Sequence, residues 1–445
     1  MDLHRTIAAI STARGRAGIG IIRLSGAQAL EILRVIATFR YEIRARTVYL
    51  AKLLDEKRDT VDEVLVTWFP APHSYTGQEM VEISCHGSPV ILDFCLSRCV
   101  EAGARLAEPG EFTLRAYVYG KIDLPQAEAI RDLIESTTLY QAKVAARQKD
   151  GSLARRLNPI KQQLLDLIAL LEAGIDFAED DISVAQTEEI LGRLTQISFA
   201  VEAMANSFAW GRIVRDGFSL AIVGPPNAGK SSLFNALLKQ DRAIVTPIAG
   251  TTRDMVSETV DIGGIPVRLL DTAGIRETAE PIEILGIQKS FEAIADSAVT
   301  LVVFDSTFDY ETQSELVNRA QSQGNCLIVA NKSDLADAGI HPGAIAVSAL
   351  TGAGIEQLRE AILNLAGHRA ESIETGFVTS LRQKLLLEEA AQMLKKAGNA
   401  ASVGIPHEML LLDLYCSLSP LDSISGATTA DDILTRIFST FCIGK

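Results

Sequence analysis

At 445 residues the chain exceeds what one ordinary hydrophobic core supports, so two or three domains are expected. A net charge of −14, with 47% hydrophobic and 22% charged residues, excludes general attraction to polyanions and confines any nucleic-acid contact to a local basic patch or a second protein. Cys85, Cys95, Cys99, Cys326, Cys416 and Cys442 form no CxxC pair and no zinc spacing, which suits free thiols in a reducing compartment; Cys95 and Cys99 read as core packing. The N-terminus lacks a continuous apolar h-region and the longest apolar runs are too short to span a bilayer, so a cytoplasmic protein is expected.

Between Thr6 and Gly120, short β-type runs (Gly20–Leu24, Val48–Leu54, Val61–Phe69, Met80–Ser84) alternate with helical patterns (Ala27–Ala37, Pro89–Ala102), predicting an α+β domain over residues 1–120. Apolar positions then recur at helical spacing in Ala127–Thr137, Leu157–Ala173 and Thr187–Phe208, the first part of an all-α domain, 121–215. Residues 217 to about 368 read β-α-β-β-α-β-α-β-β-α, with helices at Glu283–Ala295 and Ile355–Leu365 among them, a mostly parallel sheet with one antiparallel strand and a hairpin through Gly263-Gly264. Helical periodicity returns in Leu381–Lys396 and His407–Leu418, a tail too thin for its own core. One helical domain made of 121–215 and 372–445, with an α/β domain over 216–371 inserted into it, is the economical arrangement.

The segment Gly224–Ser231, GPPNAGKS, satisfies G-x-x-x-x-G-K-[ST] between an apolar strand (Phe218–Val223) and a helix (Ser232–Leu238). Backbone N–H groups from Asn227 through Ala228, Gly229 and Ser232 can curl round a polyphosphate, Lys230 reaches its outer phosphates, and the Ser231 hydroxyl can ligate Mg²⁺. Four further strings follow in order. Thr251-Thr252-Arg253-Asp254 supplies Thr252 for Mg²⁺; Asp271-Thr272-Ala273-Gly274 puts a carboxylate at a strand end and a glycine N–H at the γ-phosphate. Asn331-Lys332-Ser333-Asp334 offers Asp334 to the N1 and N2 donors of guanine, which adenine lacks, so GTP is expected rather than ATP. Ser348-Ala349 supplies backbone contacts to the base edge.

The domain resembles a Ras-like GTPase, and the whole chain resembles the tRNA-modification GTPase family called MnmE or TrmE, through GIGIIRLSG at 18–26, KIDLPQAEAI at 121–130, TPIAGTTRD at 246–254, DTAGIRET at 271–278 and the terminal CIGK at 442–445. Ile275 follows the DTAG glycine, where many GTPases place a water-orienting glutamine, so hydrolysis needs other groups. The resemblance implies Glu283 in that role, although a carboxylate at a helix start is also favoured simply by the dipole. It also implies a K⁺ ion in place of an arginine finger, held by the Asn227 side chain and carbonyls of Thr246, Ile248 and Thr251 in a nucleotide-contacting loop that includes Pro247, Ala249 and Gly250.

For the N-terminal domain the resemblance implies a folate-binding fold and homodimerisation. A tetrahydrofolate derivative (5,10-methylene or 5-formyl) would contact Arg23, Glu82, Lys121 and Lys445; surface ion pairs are the alternative reading of these charges. Cys442 is either a functional thiol at that pocket or a buried helix-end cysteine; the terminal CIGK is not a lipidation box. Basic residues from Lys143 to Arg156 read as a solvated helix face, with a phosphate-contact face as the alternative. The family acts on the C5 position of wobble uridine in tRNA, in the 5-carboxymethylaminomethyluridine pathway, with an FAD-dependent partner of the MnmG/GidA type in a heterotetramer or larger assembly. A ribosome-assembly GTPase or a purely regulatory switch is the alternative.

Overall fold

The computed structural model describes residues 2–176, 186–240, 257–271, 297–306, 314–335, 343–367 and 377–424. They form two compact units, one built on residues up to Arg131 together with those from Asp422 on, and the other on Asp132–Leu421.

In the first unit seven strands, β1 (Ile7–Ile10), β2 (Ile19–Ser25), β3 (Ala37–Phe39), β4 (Val48–Leu54), β5 (Thr60–Phe69), β6 (Met80–His86) and β7 (Arg105–Leu106), form one sheet in the order β3-β4-β5-β6-β2-β1-β7. All pairs are antiparallel except β1 with β7. Period-two alternation in β5 sends Val64 and Val66 inward and leaves Leu65 exposed. Helices α1 (Ala29–Ile36) and α2 (Pro89–Glu101) cover the inner face: Ile32, Leu33 and Ile36 from one, and Leu92, Cys95 and Cys99 from the other, meet Ile22, Leu24, Val64, Val66 and Ile83 in a single core. Cys95 and Cys99 thus pack as expected, and Cys85 of β6 joins them. The hydrogen bond with Cys95 and burial push the Cys85 thiol up, and Cys95 itself lies well above the ordinary thiol range.

Helix α3 (Glu111–Val118) carries a buried ion cluster. Glu111 receives the guanidinium of Arg115, both fully buried, and that of Arg105 from β7. Arg115 also donates to Gln78 Oε1 at 2.8 Å and to the Arg5 carbonyl at 2.8 Å, so its donors are spread over three segments. Burial acts to raise the Glu111 carboxyl, but hydrogen bonds from Arg105, the Glu108 N–H and Arg115 outweigh it and hold the group below the ordinary carboxylate range.

In the second unit, α5 (Leu139–Lys149), α6 (Ser152–Asp176), α7 (Thr187–Asn206) and α8 (Phe208–Asp216) precede a six-stranded sheet; α4 (Leu124–Glu135) spans the point where the units divide. The sheet comprises β8 (Phe218–Val223), β9 (Ser257–Ile262), β10 (Ile265–Asp271), β11 (Val299–Asp305), β12 (Asn325–Asn331) and β13 (Ile345–Ala346) in the order β13-β12-β11-β8-β10-β9, parallel except for β9. Helices α9 (Lys230–Gln240), α10 (Ser314–Gln323) and α11 (Ile355–Leu365) accompany it, followed by α12 (Leu381–Ser402) and α13 (His407–Ile424). Helix α7 lies along α12, burying Ile190, Leu194, Ile197 and Val201 against a face that includes Leu387, Ala390, Leu394 and Ala397. Helix α8 and the chain returning at 377–379 lie side by side: the Val378 N–H donates to Ser207 Oγ, at the N-cap of α8, at 3.1 Å, and Arg215 Nη1 to the Thr379 carbonyl at 3.3 Å. The predicted helix Glu283–Ala295 lies outside the described residues. Among the described residues no helix is long and apolar enough to cross a membrane.

Removing one member of a buried ion cluster strands the others, so Glu111→Gln is expected to destabilise the first unit by ~3 kcal/mol at neutral pH. Because the folded carboxyl is depressed, this contribution is complete above the unfolded value of about 4.3 and is lost as pH falls through the lower folded one. Urea unfolding followed by Trp68 fluorescence in a Trp210→Phe background, at pH 7 and in acid, checks both: the variant's deficit should shrink on acidification.

Candidate nucleotide-binding site

Strand β8 is a buried apolar run at the centre of the sheet, hydrogen-bonded to β10 on one side and β11 on the other. Its C-terminal end releases the loop Gly224–Gly229 into the N-terminus of α9, where backbone N–H groups and the helix dipole favour an anion. Gly229 has φ of +83°, and a Cβ there would collide with the Asn331 amide, so this close approach requires glycine. Asn227 also takes a left-handed conformation, φ 63°, which asparagine tolerates best among residues with a side chain. Lys230 Nζ donates to the carbonyls of Gly224 at 2.9 Å and Pro225 at 2.8 Å, placing the ammonium inside the curve of the loop.

Asn331, 1% exposed, ties the site together. Its Nδ2 donates to the Ala228 carbonyl at 3.0 Å and, more weakly, to that of Gly229 at 3.4 Å, while its Oδ1 accepts the Ala349 N–H at 3.1 Å. One side chain thus joins the phosphate loop to the Ser348-Ala349 loop across the strand ends. Lys332, at φ 61°, pairs with Asp305 at 2.6 Å, and the Ser306 hydroxyl donates to its carbonyl. Ser348 is fully buried and its Oγ accepts the Thr351 N–H, so it shapes the loop from within. Asp334 is exposed at the rim, as are Asn227, Ser231 and Ser232. The structure therefore brings together Asn227, Ala228, Gly229, Lys230, Asn331 and Ala349, with Asp334 on the loop that Asn331 begins. Asp271 ends β10, opposite Ile222 of β8. Thr246, Pro247, Ile248, Ala249, Gly250, Thr251, Thr252, Thr272, Ala273, Gly274, Glu283, Cys442 and Lys445 lie outside the described residues. Asp305 belongs to the site but to none of the five sequence strings; the signal for it is a carboxylate closing the apolar run VTLVVFD at a strand's C-terminal end.

The sequence-derived folate candidates sit in the first unit. Arg23 and Glu82 face one another across β2 and β6 and pair with each other, Arg23 Nε and Nη2 reaching Glu82 Oε1 at 3.0 and 2.7 Å. The Arg23 guanidinium also lies 5.7 Å from the Tyr75 ring centroid and 5.9 Å from that of Phe112, aromatic neighbours that the sequence did not single out. Burial pushes the Tyr75 phenol up, opposed by its hydrogen bond with Thr113 and by the charge of Arg23. Lys121 donates to the Pro72 carbonyl at 3.1 Å.

A glycine-rich loop leaving the central strand of a mostly parallel sheet, closed by an Asn-Lys-x-Asp loop, defines a nucleotide-binding domain of the phosphate-loop GTPase class. Two family models match: "GTP-binding protein TrmE N-terminus" over residues 6–121 and "MnmE helical domain" over residues 124–442. Relatives named tRNA modification GTPase MnmE are 51% identical in Koribacter versatilis and 41% in Aquifex aeolicus, each alignment covering 100% of both chains, and 39% identical in Pseudomonas aeruginosa over 99% of both. The chain belongs to the MnmE family, and is a GTPase of that family.

Asn331→Ala would release both loops at once while leaving every charged group in place. The expected result is a loss of GDP affinity of about tenfold or more, the scale of a buried hydrogen-bonded amide removed. Titration with a fluorescent GDP analogue checks this; affinity within twofold of the parent would show that the two loops hold their places without the tie.

Proposed function

We propose that this protein hydrolyses GTP in a K⁺-stimulated reaction that gates modification of the wobble uridine at C5 in tRNA. It acts as a homodimer with an FAD-dependent partner of the MnmG/GidA type, using a one-carbon unit carried by tetrahydrofolate. The observation that carries the nucleotide part is the Asn331 tie, which holds the phosphate loop and the Ser348-Ala349 loop side by side at one edge of the sheet. The Asn-Lys-x-Asp loop then offers Asp334, whose exposure leaves both carboxylate oxygens accessible to the N1 and N2 donors of guanine.

The residues on that edge suit the ions the reading needs. Ser231 at the first turn of α9 and Asn227 in the loop both expose oxygen-bearing side chains, the hard donors that Mg²⁺ and K⁺ take. Ser231 with Thr252 would hold Mg²⁺; Asn227 with carbonyls of Thr246, Ile248 and Thr251 would hold K⁺, whose positive charge offsets the charge developing on the phosphates. Glu283 orients the attacking water in place of the glutamine that Ile275 replaces.

Support for the folate part comes from the Arg23–Glu82 pair beside the partly buried Tyr75: a carboxylate for the donor edge of a pterin, a guanidinium for an anionic tail and an aromatic ring for a flat one. Lys121 and Lys445 add positive charge, and Cys442 a thiol, to the same set. Exposed Val48, Leu50 and Leu65 on neighbouring positions of β4 and β5 give the first unit an apolar outer strip suited to a second copy.

GTP turnover at equal ionic strength in K⁺ and in Na⁺ tests the reading. Faster turnover in K⁺ is expected, lost in Asn227→Ala, with Glu283→Ala slower by about 10²-fold or more. Equal rates in the two salts would remove the K⁺ assignment, and unaltered wobble uridines in a deletion strain would remove the role in tRNA modification.

A further inference from the structure

The hairpin β9–β10 is the covalent bridge between the two strings that the GTPase reading assigns to the nucleotide's metal and γ-phosphate, TTRD ending at Asp254 and DTAG beginning at Asp271. Its tip is gripped from outside the sheet. Thr138, the N-cap of α5, donates its hydroxyl to the Gly264 carbonyl at 2.6 Å while the same oxygen accepts the Gln141 N–H at 3.2 Å. Gly264 has φ of +88°, and a Cβ there would run into the Tyr140 side chain, so helix and hairpin are in direct contact. Gln141 completes the capping box by accepting the Thr138 N–H, and its Nε2 donates to the Arg215 carbonyl at 2.7 Å, where the chain is about to enter β8. On the other side Arg359 of α11 donates to the Asp261 carbonyl at 2.8 Å and Leu363 packs on Gly263. From the gripped tip, β10 runs along β8 in a continuous ladder, Val267 opposite Phe218 through Asp271 opposite Ile222.

A two-stranded ribbon held along one edge is stiff, so fixing its tip fixes where its far end falls. We propose that Thr138 is a positioning residue for GTP hydrolysis: its hydrogen bond to Gly264 lets helix α5 set how the hairpin presents the strand end at Asp271 to the nucleotide. The helical segment then governs the rate of the chemical step from outside the nucleotide-binding edge. This rests on the GTPase reading of the site.

The test uses the full-length protein with Thr138→Asp, which keeps an N-cap acceptor for Gln141 but has no proton to give Gly264, and Thr138→Ser, which keeps both. For Thr138→Asp, kcat is expected to fall about fivefold, the scale of one hydrogen bond, with KM for GTP and GDP affinity within about twofold of the parent; Thr138→Ser should restore kcat. An unchanged kcat in Thr138→Asp, or GDP affinity falling in step with kcat, would overturn the proposal, the second by showing general damage to the fold. Should Thr138→Asp fail to fold, Thr138→Val, which keeps the branched shape and loses the hydroxyl, decides by the same readout: kcat is expected to fall with GDP affinity within about twofold of the parent, and an unchanged kcat would overturn the proposal. A parent that does not turn over GTP sinks the GTPase reading itself; turnover indifferent to Thr138→Asp sinks this inference alone.

Discussion

The amide of Asn331 is the interaction on which the nucleotide edge depends. A buried amide has to satisfy both its donor and its acceptor side or lose the hydration it gave up, and Asn331 does so by reaching the Ala228 and Gly229 carbonyls with one end and the Ala349 N–H with the other. That requirement explains neighbouring choices. Gly229 has no side chain because the amide occupies its Cβ position, and Ala228 and Ser348 are small and buried because the loops converge there. Aspartate at 331 would turn an acceptor oxygen on the Ala228 and Gly229 carbonyls, and leucine would leave an N–H and carbonyls unpaired; asparagine is the residue whose shape and polarity meet both loops.

A second constraint is the core that the sheet shares with the helical segment. Trp210 and Val214 of α8 and Phe377 on the returning chain belong to the same buried cluster as Leu220, Ile222, Leu269 and Leu301 in the sheet, with Tyr140 and Val144 of α5 packed against it. The helices beneath it are tied to one another and to the returning chain: Gln148 donates to the Phe377 carbonyl and accepts from Thr379 Oγ1, and Arg215 pairs with Asp132 at 3.0 Å. Displacing the sheet from these helices would expose that apolar area and break the Thr138–Gly264 hydrogen bond, so the junction behaves as part of a domain core more than as a linker.

The strands and helices with strong periodicity were legible: α11 has the predicted bounds, Ile355–Leu365, and β8 those of the predicted strand. Short or small-residue elements were not. IAAI in β1 and the two residues of β7 carry too little pattern, and α3 is packed on nearly every face, so its apolar residues show no stripe. Helix α5 is weakly amphipathic, so periodicity did not mark its start, which the structure fixes with the Thr138–Gln141 capping box. The phosphate loop could be read because its chemistry demands glycine, lysine and a hydroxyl at fixed spacing. The pairing of Arg23 with Glu82 could not, because it depends on β2 and β6 becoming neighbours, a matter of sheet order that neither string contains.

The three thiols beneath the first sheet have a further consequence. Cys85, Cys95 and Cys99 are all buried, and the first two are held in their protonated form, whereas Cys416 of α13 is exposed. An alkylating or oxidising reagent therefore meets Cys416 directly but reaches the buried trio only when the sheet and α2 part. Their rate of modification is a clock for that opening, wound by the core itself and readable by mass in an otherwise unaltered protein.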